Sequence, residues 1–249
     1  MLTVVSVLFA GASAWDGDVA LRPALWWRGW TFAVPLLSIL LAHEFGHYLA
    51  ARWHRVPASL PYFLPMPLSP FGTWGAVIVM PQRISSRRAL LDIGAAGPLA
   101  GLVVALPVLC LGLAWSPVEP LQSHGILEGQ CLLYGLLKRV VLGAIPSGYD
   151  VTLHPVAFAG WAGLFVTMIN LLPVGQLDGG HIAYALLGPK QNTVARAMRH
   201  GLLVLFVVNL ARNLAGARAA HYADGTVSTA LSNSTFWFFW FVVWVSGLV

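Results

Sequence analysis

Apolar stretches separated by polar, proline-rich or basic connections run the length of the chain, and they predict an all-α polytopic membrane protein with about six transmembrane segments. Met1–Ala14 is apolar but only about 14 residues long, against the ~20 that a membrane helix needs. It reads either as a short first span or as the end of one whose upstream half lies before the assigned start, and it lacks the basic opening of a signal peptide. Asp16–Arg28 is a polar connection in which Trp26 and Trp27, with Trp30 just beyond, fall where an aromatic belt marks a membrane interface. Gly29–Ala51 is the second span, about 34 Å of helix. Ile93–Trp115 is the third, opening on Gly94, Ala95, Ala96, Gly97, Ala100 and Gly101, small residues that admit a neighbouring helix or line a cleft. Pro155–Leu172 and Gly201–Ala215 follow, and Phe236–Val249, with Trp237, Trp240 and Trp244, is a last aromatic span or anchor.

The connections differ in kind. Arg52–Asp92 is broken by Pro57, Pro61, Pro65, Pro67, Pro70 and Pro81 and reads as irregular chain. Within it Phe71–Met80, punctuated by Gly72 and Gly75, reads as a strand-like or re-entrant loop near the active site, suited either to pairing with an extended peptide or to packing between helices. Arg52, Arg55, Arg83, Arg87 and Arg88 outnumber acidic residues here, so the positive-inside rule makes this segment cytoplasmic. Ile126–Ile145 is apolar but interrupted by Glu128, Lys138 and Arg139, the pattern of an amphipathic helix lying at the interface. Ile182–Leu187 continues as a short helix, and Gly188–His200, with Lys190, Arg196 and Arg199, reads as a basic loop. The expectation is one integral membrane domain over 1–249, with its core at about 29–187 and membrane segments at 201–249.

Composition agrees with a membrane location: 58% of residues are hydrophobic and 9% charged, against about a quarter charged in soluble domains. The mean hydropathy is +0.75. The net charge of +5 is then a topology signal rather than a nucleic-acid footprint, and no nucleic-acid partner is expected. Cys110 and Cys131 lie in apolar surroundings and read as small buried hydrophobes.

Two segments carry chemistry. His43-Glu44-Phe45-Gly46-His47 sits in the last third of the second span. Two imidazoles four residues apart on a helix lie one above the other and can grip one metal ion, and the intervening Glu can reach a metal-bound water. Ionisable groups at membrane depth are expensive and usually functional. The second segment is Asn170-Leu171-Leu172-Pro173-Val174-Gly175-Gln176-Leu177-Asp178-Gly179-Gly180-His181, where Pro173 stops regular helix and the glycines permit tight backbone. A hydrolytic zinc takes three protein ligands and keeps a position for water, so Asp178 is a candidate third ligand, with a turn-capping role as the plainer reading. His181 reads as facing the cleft; His54, His124, His154, His200 and His221 have no spaced partners.

Taken together, these residues resemble the site-2 protease family of intramembrane zinc metalloproteases. The Gly-Thr-Trp-Gly-Ala-Val-Ile loop at 72–78, the Ala-Gly-Pro-Leu-Ala-Gly entry at 96–101 and the Leu-Leu-Pro-Val-Gly-Gln-Leu-Asp-Gly-Gly-His run are similar to a subgroup shared by prokaryotes and plant chloroplasts. The resemblance covers about Thr31–Leu187. It implies one Zn2+ ion held by His43, His47 and Asp178, with Glu44 as general base. It also implies that Asn170 orients substrate or oxyanion, while Gly72, Thr73, Trp74 and Gly75 are candidates for holding the opened chain. On this resemblance the expected substrate is a membrane-spanning protein met within the lipid bilayer, in a bacterial inner (cell) membrane, with the active site nearer the cytoplasmic side. No room for a PDZ or CBS domain is expected, and oligomeric state is not legible. The alternatives are a membrane zinc transporter, which needs ligands strung along a path, and a noncatalytic zinc-binding membrane protein.

Overall fold

The computed structural model describes residues 1–15, 19, 22–80, 84, 86–120 and 128–219. The expected last span at Phe236–Val249 lies outside them, as do Pro81, Arg83, His124 and His221. Seven α-helices are present among the described residues: α1 (Leu2–Ser13), α2 (Trp30–Trp53), α3 (Arg87–Ala114), α4 (Leu132–Leu142), α5 (Pro155–Asn170), α6 (Asp178–Leu187) and α7 (Gln191–Ala219). Three helical stretches are long and apolar enough to cross a membrane, at Pro23–Trp53, Arg87–Ala114 and Asp178–Ala215; Leu2–Ser13 and Pro155–Asn170 are shorter apolar helices. The chain is a polytopic, mostly helical membrane protein, and its contacts divide it into two compact units.

The first unit comprises residues 1–84 and 95–169. Its apolar core joins Val7 of α1, Phe32, Ala33, Leu36 and Leu40 of α2, and Ala159 and Ala162 of α5. Glycines set the helix separations. A Cβ at Gly160 would meet the Leu109 backbone at 2.7 Å, and one at Gly112 would meet the Ala157 nitrogen at 2.1 Å. Without a hydrophobic drive between helices in lipid, such close approach is what association rests on. Hydroxyls inside the helices turn back on the backbone: Thr167 donates to the Gly163 carbonyl at 2.8 Å and Ser38 to that of Val34 at 2.8 Å.

Two small antiparallel strand pairs accompany the helices among the described residues. Strand β1 (Tyr62–Pro65) pairs with β2 (Thr73–Val77) in the register Tyr62–Val77, Phe63–Ala76 and Pro65–Thr73. Strand β3 (Val118–Pro120) pairs with β4 (Tyr149–Val151). The strand-like expectation for Phe71–Met80 thus meets β2, but its partner β1 comes from chain that its prolines made look structureless. Pro61 precedes the short strand and Pro65 is its last residue, at a register irregularity, which is where proline is tolerated. The hairpin is fastened to α1 by two polar side chains in that apolar helix: Ser6 donates to the Gly72 carbonyl at 2.6 Å and Thr3 to that of Phe63 at 3.1 Å.

Helix α4 occupies only part of the expected Ile126–Ile145, since Cys131 caps its start and Gly143, at φ +76°, stops it. At 11 residues it is about 16 Å long and cannot span. Its polar residues point inward: Lys138 contacts Glu128 at 2.8 Å and Asp150 at 3.2 Å, and the Tyr134 hydroxyl donates to Glu128 at 2.7 Å. Burial, together with its bond to Glu128, pushes the Tyr134 phenol far above its usual range. For Asp150 partial burial acts upward, but the Val151 N–H and Lys138 outweigh it and hold its carboxyl below the usual value. Cys131 is exposed rather than a buried hydrophobe, its sulfur accepting from the Tyr134 N–H at 3.5 Å, while Cys110 is half-buried.

The second unit comprises residues 85–94 and 170–249. Helix α3 starts six residues before the expected Ile93, because the Ser86 hydroxyl accepts from the Ala89 N–H at 3.3 Å as an N-cap does. The expected basic loop at Gly188–His200 is instead mostly helix. Gly188, at φ +60°, breaks the chain, and α7 then runs unbroken from Gln191, since nothing between there and His200 is proline or glycine. His200 accordingly lies within α7, its Nδ1 2.7 Å from the Arg196 carbonyl.

Candidate active site

Helix α2 continues through its early Pro35 and carries His43, Glu44 and His47 on its buried side. Their exposures are 4%, 7% and 5%, values that apolar residues usually hold. The i, i+4 spacing stacks the imidazoles with ring centroids 4.9 Å apart, and the two Nε2 atoms face each other at 3.1 Å. Two nitrogens on one tetrahedral zinc, each bonded at about 2.0–2.1 Å, stand about 3.3 Å apart. The pair therefore fits a shared ion, and Glu44, one residue from His43, has a buried carboxyl on the same helix.

Helix α3 makes the space for this pair. Its residues 96–101 run antiparallel to residues 43–47 of α2, since a Cβ at Gly46 would strike the Ala96 carbonyl, one at Gly97 the His47 ring and one at Gly101 the His43 side chain. At Gly97 the clash is direct, with Nε2 at 2.0 Å and both Cδ2 and Cε1 at 2.4 Å; at Gly101 the nearest atom is the His43 Cβ at 3.2 Å. Sequence reasoning marked this small-residue run as packing or cleft lining. The structure assigns Gly97 and Gly101 to the second role, and the signal available beforehand was their spacing of four, the same as that of the histidines.

The hairpin residues divide. Gly72, at φ +70°, lies so close to α1 that a Cβ would meet the Ser6 carbonyl at 2.4 Å. Thr73 is buried, its hydroxyl donating to the Leu64 carbonyl at 2.8 Å and accepting from the Gly75 N–H at 3.0 Å. Both are occupied in building the hairpin. Trp74 is 46% exposed, and Gly75, at φ +102°, has open space where a side chain would stand. These two are the accessible members of the expected binding loop.

In the second unit, Asn170 ends α5 and Asp178 is the first residue of α6. The turn between them is fixed by backbone: Val174 N–H donates to the Leu172 carbonyl at 2.8 Å, and Gly180 and His181 N–H groups to that of Leu177 at 2.9 and 3.1 Å. Gly175 takes φ +53°. Gly179 and Gly180 leave no room for Cβ atoms, which would stand 2.1 Å from the Leu171 carbonyl and 2.3 Å from that of Gly175. Asp178 is thus presented as the first residue of α6 by a turn that backbone hydrogen bonds and close glycine packing hold in place. Gly94 seats α6, an added Cβ meeting Ile182 at 3.2 Å and His181 at 3.5 Å.

Comparison with known proteins supplies the relationship. The model of Peptidase family M50 matches residues 31–210, a stretch that contains both the α2 histidines and Asp178. The chain is similar to the probable zinc metalloprotease EGY1, chloroplastic, of Arabidopsis thaliana: 39% identical over 163 residues, 63% of this chain and 29% of that protein. It is similar to EGY2, chloroplastic, of Oryza sativa subsp. indica at 33% identity over 174 residues, 69% of this chain and 32% of the relative. It is also 36% identical over 124 residues to the DDT domain-containing protein PTM of Arabidopsis thaliana, 47% of this chain and 7% of that protein. The chain therefore spans roughly a third or less of the relatives it matches. Because the family match runs through most of the chain and through every element that carries a candidate ligand, the protein belongs to peptidase family M50.

Proposed function

We propose that this protein is a zinc-dependent endopeptidase that hydrolyses peptide bonds in or near transmembrane segments of membrane proteins. The observation that carries the reading is the buried pair of Nε2 atoms 3.1 Å apart in a helix long enough to cross a membrane, with a buried Glu beside them. His43 and His47 would hold one zinc ion, and Asp178 is proposed as the third ligand, supported by its donor chemistry, its rigid turn and its place within the family match. When bound, zinc supplies Lewis acidity toward water and the scissile carbonyl. Glu44 then acts as general base, its carboxylate taking a proton from the attacking water and returning it to the leaving amine. Asn170 is proposed to orient substrate, and Trp74 and Gly75 to contact the opened chain.

At 1.5 Å per residue, His47 and His43 lie about 9 and 15 Å from the end of α2 at Trp53. That end carries Arg52 and Arg55, so the positive-inside rule puts the site nearer the cytoplasmic side. The membrane is proposed to be a bacterial cell membrane; the chloroplastic names of the relatives favour a chloroplast membrane as the second reading, and fractionation of the native cells separates the two.

The test uses the purified full chain and a membrane-spanning reporter. Cleavage should stop with chelator and fall by about 10²–10⁴-fold in Glu44→Gln, which should still bind zinc. Undiminished cleavage by Glu44→Gln overturns the mechanism, and zinc flux without cleavage favours a transporter.

A further inference from the structure

Helix α4 is inside out by the standards of a water-facing helix. Leu132, Leu133, Leu136 and Val140 are exposed, by 96, 37, 58 and 71%, and at 100° per residue they share one face, with Arg139 at its rim. The opposite face buries Tyr134 and Lys138 against Glu128 and Asp150. In water this arrangement loses twice, because it desolvates charge and hydrates aliphatic surface. With lipid outside, it loses only on the first count.

The packing fixes the depth of the helix. Tyr134 shares a core cluster with Leu109 and Leu113, in the last two turns of α3, and with Ala157 at the start of α5. Because Gly101 of α3 faces His43 of antiparallel α2, the end of α3 at Ala114 is roughly level with Trp30, the first residue of α2. Trp27, Trp30 and Trp115 are 61, 54 and 58% exposed, an aromatic girdle at one membrane boundary. Helix α4 docks at that level, on the face opposite the Arg52 end of α2.

We infer that α4 is an in-plane membrane helix whose Leu132, Leu133, Leu136 and Val140 stripe is immersed in the bilayer at the boundary marked by Trp30 and Trp115. The occupant of the stripe is lipid acyl chain, continuous with the lipid that meets Leu99, Val103 and Leu111 on α3, which are 61, 71 and 54% exposed. The buried ionic cluster points away from that lipid and ties the helix to β4.

Spin labels test the inference in the full chain, reconstituted in phosphatidylcholine–phosphatidylglycerol vesicles. Cys110→Ala and Cys131→Ser remove the native thiols while a hydroxyl keeps the helix cap. Single cysteines then replace Leu136, Val140, the α3 reference Val103 and the loop reference Ser147, which is exposed between α4 and β4. Accessibility to oxygen, which concentrates in lipid, is compared with that to a water-soluble nickel chelate. Labels at 136 and 140 should show an oxygen-to-nickel ratio several-fold above that at 147 and below that at 103, which lies about 16 Å deeper along α3. A ratio at 136 and 140 equal to that at 147 places the stripe in water and overturns the inference. Exclusion of both reagents with dipolar broadening between labels places a second copy there and overturns it too. Labels at two positions, both already exposed, guard against one substitution disturbing the fold, and none touches the catalytic residues.

Discussion

Gly97→Ala isolates the contact between α3 and the histidine pair. The new Cβ would stand 2.0 Å from His47 Nε2, and ordinary contact begins near 3.4 Å, so the ring or the helix must yield by about 1.4 Å. Ligand positions around zinc hold to about ±0.2 Å, and the 3.1 Å between Nε2 atoms leaves no slack for such a shift. The expected result is a fall in zinc affinity of about 100-fold or more, some 2.7 kcal/mol, with a comparable loss of cleavage. Alanine is a better helix former than glycine by about 0.5–1 kcal/mol, so the loss should not come with a general weakening of α3. Gly101→Ala is the internal control. Its nearest atom stands at 3.2 Å, which a few tenths of an ångström relieve, so zinc affinity should change by less than about tenfold. Chelator competition measures zinc affinity, and reporter cleavage measures activity. Wild-type zinc binding by Gly97→Ala, or a larger loss from Gly101→Ala than from Gly97→Ala, would refute the argument.

Other consequences follow from residues away from the histidines. Lys138→Met strands Glu128 and Asp150 without their cation and should destabilise the α4–hairpin region by about 3–5 kcal/mol, seen as earlier loss of hydrogen-exchange protection there. Asp150, whose folded pKa is lowered, adds stability that is present above the unfolded carboxylate value of about 3.9 and is lost as pH falls below it, so the same protection should decline in acid and cease to do so in Asp150→Asn. Gly72→Ala combines a φ of +70° with a 2.4 Å approach to the Ser6 carbonyl, and should loosen the β1–β2 hairpin enough for a protease to cut at 66–72 in the variant alone.

The sequence marked a candidate site more clearly than the architecture around it. His43, Glu44 and His47 were legible because helical spacing of charge in an apolar run is costly unless used, and the backbone geometry then follows from the helix alone. Asp178 stood out for a different reason: Pro173 and Gly175 break regular helix just before it and leave a carboxylate on tight backbone in an apolar segment. Strand β1 was not legible, since three residues between prolines carry no period and their pairing with β2 is a contact across a turn. The start of α3 was missed because Ser86, a good cap, stood beside arginines that read as a topology signal. Helix α7 was split by the same habit, its Arg196 and Arg199 suggesting a loop where nothing breaks the backbone. For α4 the amphipathic period was legible, but periodicity gives two faces and does not say which one packs against the protein.

The two edges of the β1–β2 ribbon are not equivalent as templates. Proline has no N–H to offer a neighbouring chain, and β1 follows Pro61 and ends on Pro65, whereas no residue of Thr73–Val77 is proline, although the Gly75 N–H is already given to the Thr73 hydroxyl. Any extended polypeptide that extends this ribbon by a further strand, whether cargo or a misfolded neighbour, therefore finds a fuller ladder beside Trp74 than beside Phe63. The prolines that hid β1 from view also give the ribbon a sidedness, blunting one margin against adventitious pairing more than the other.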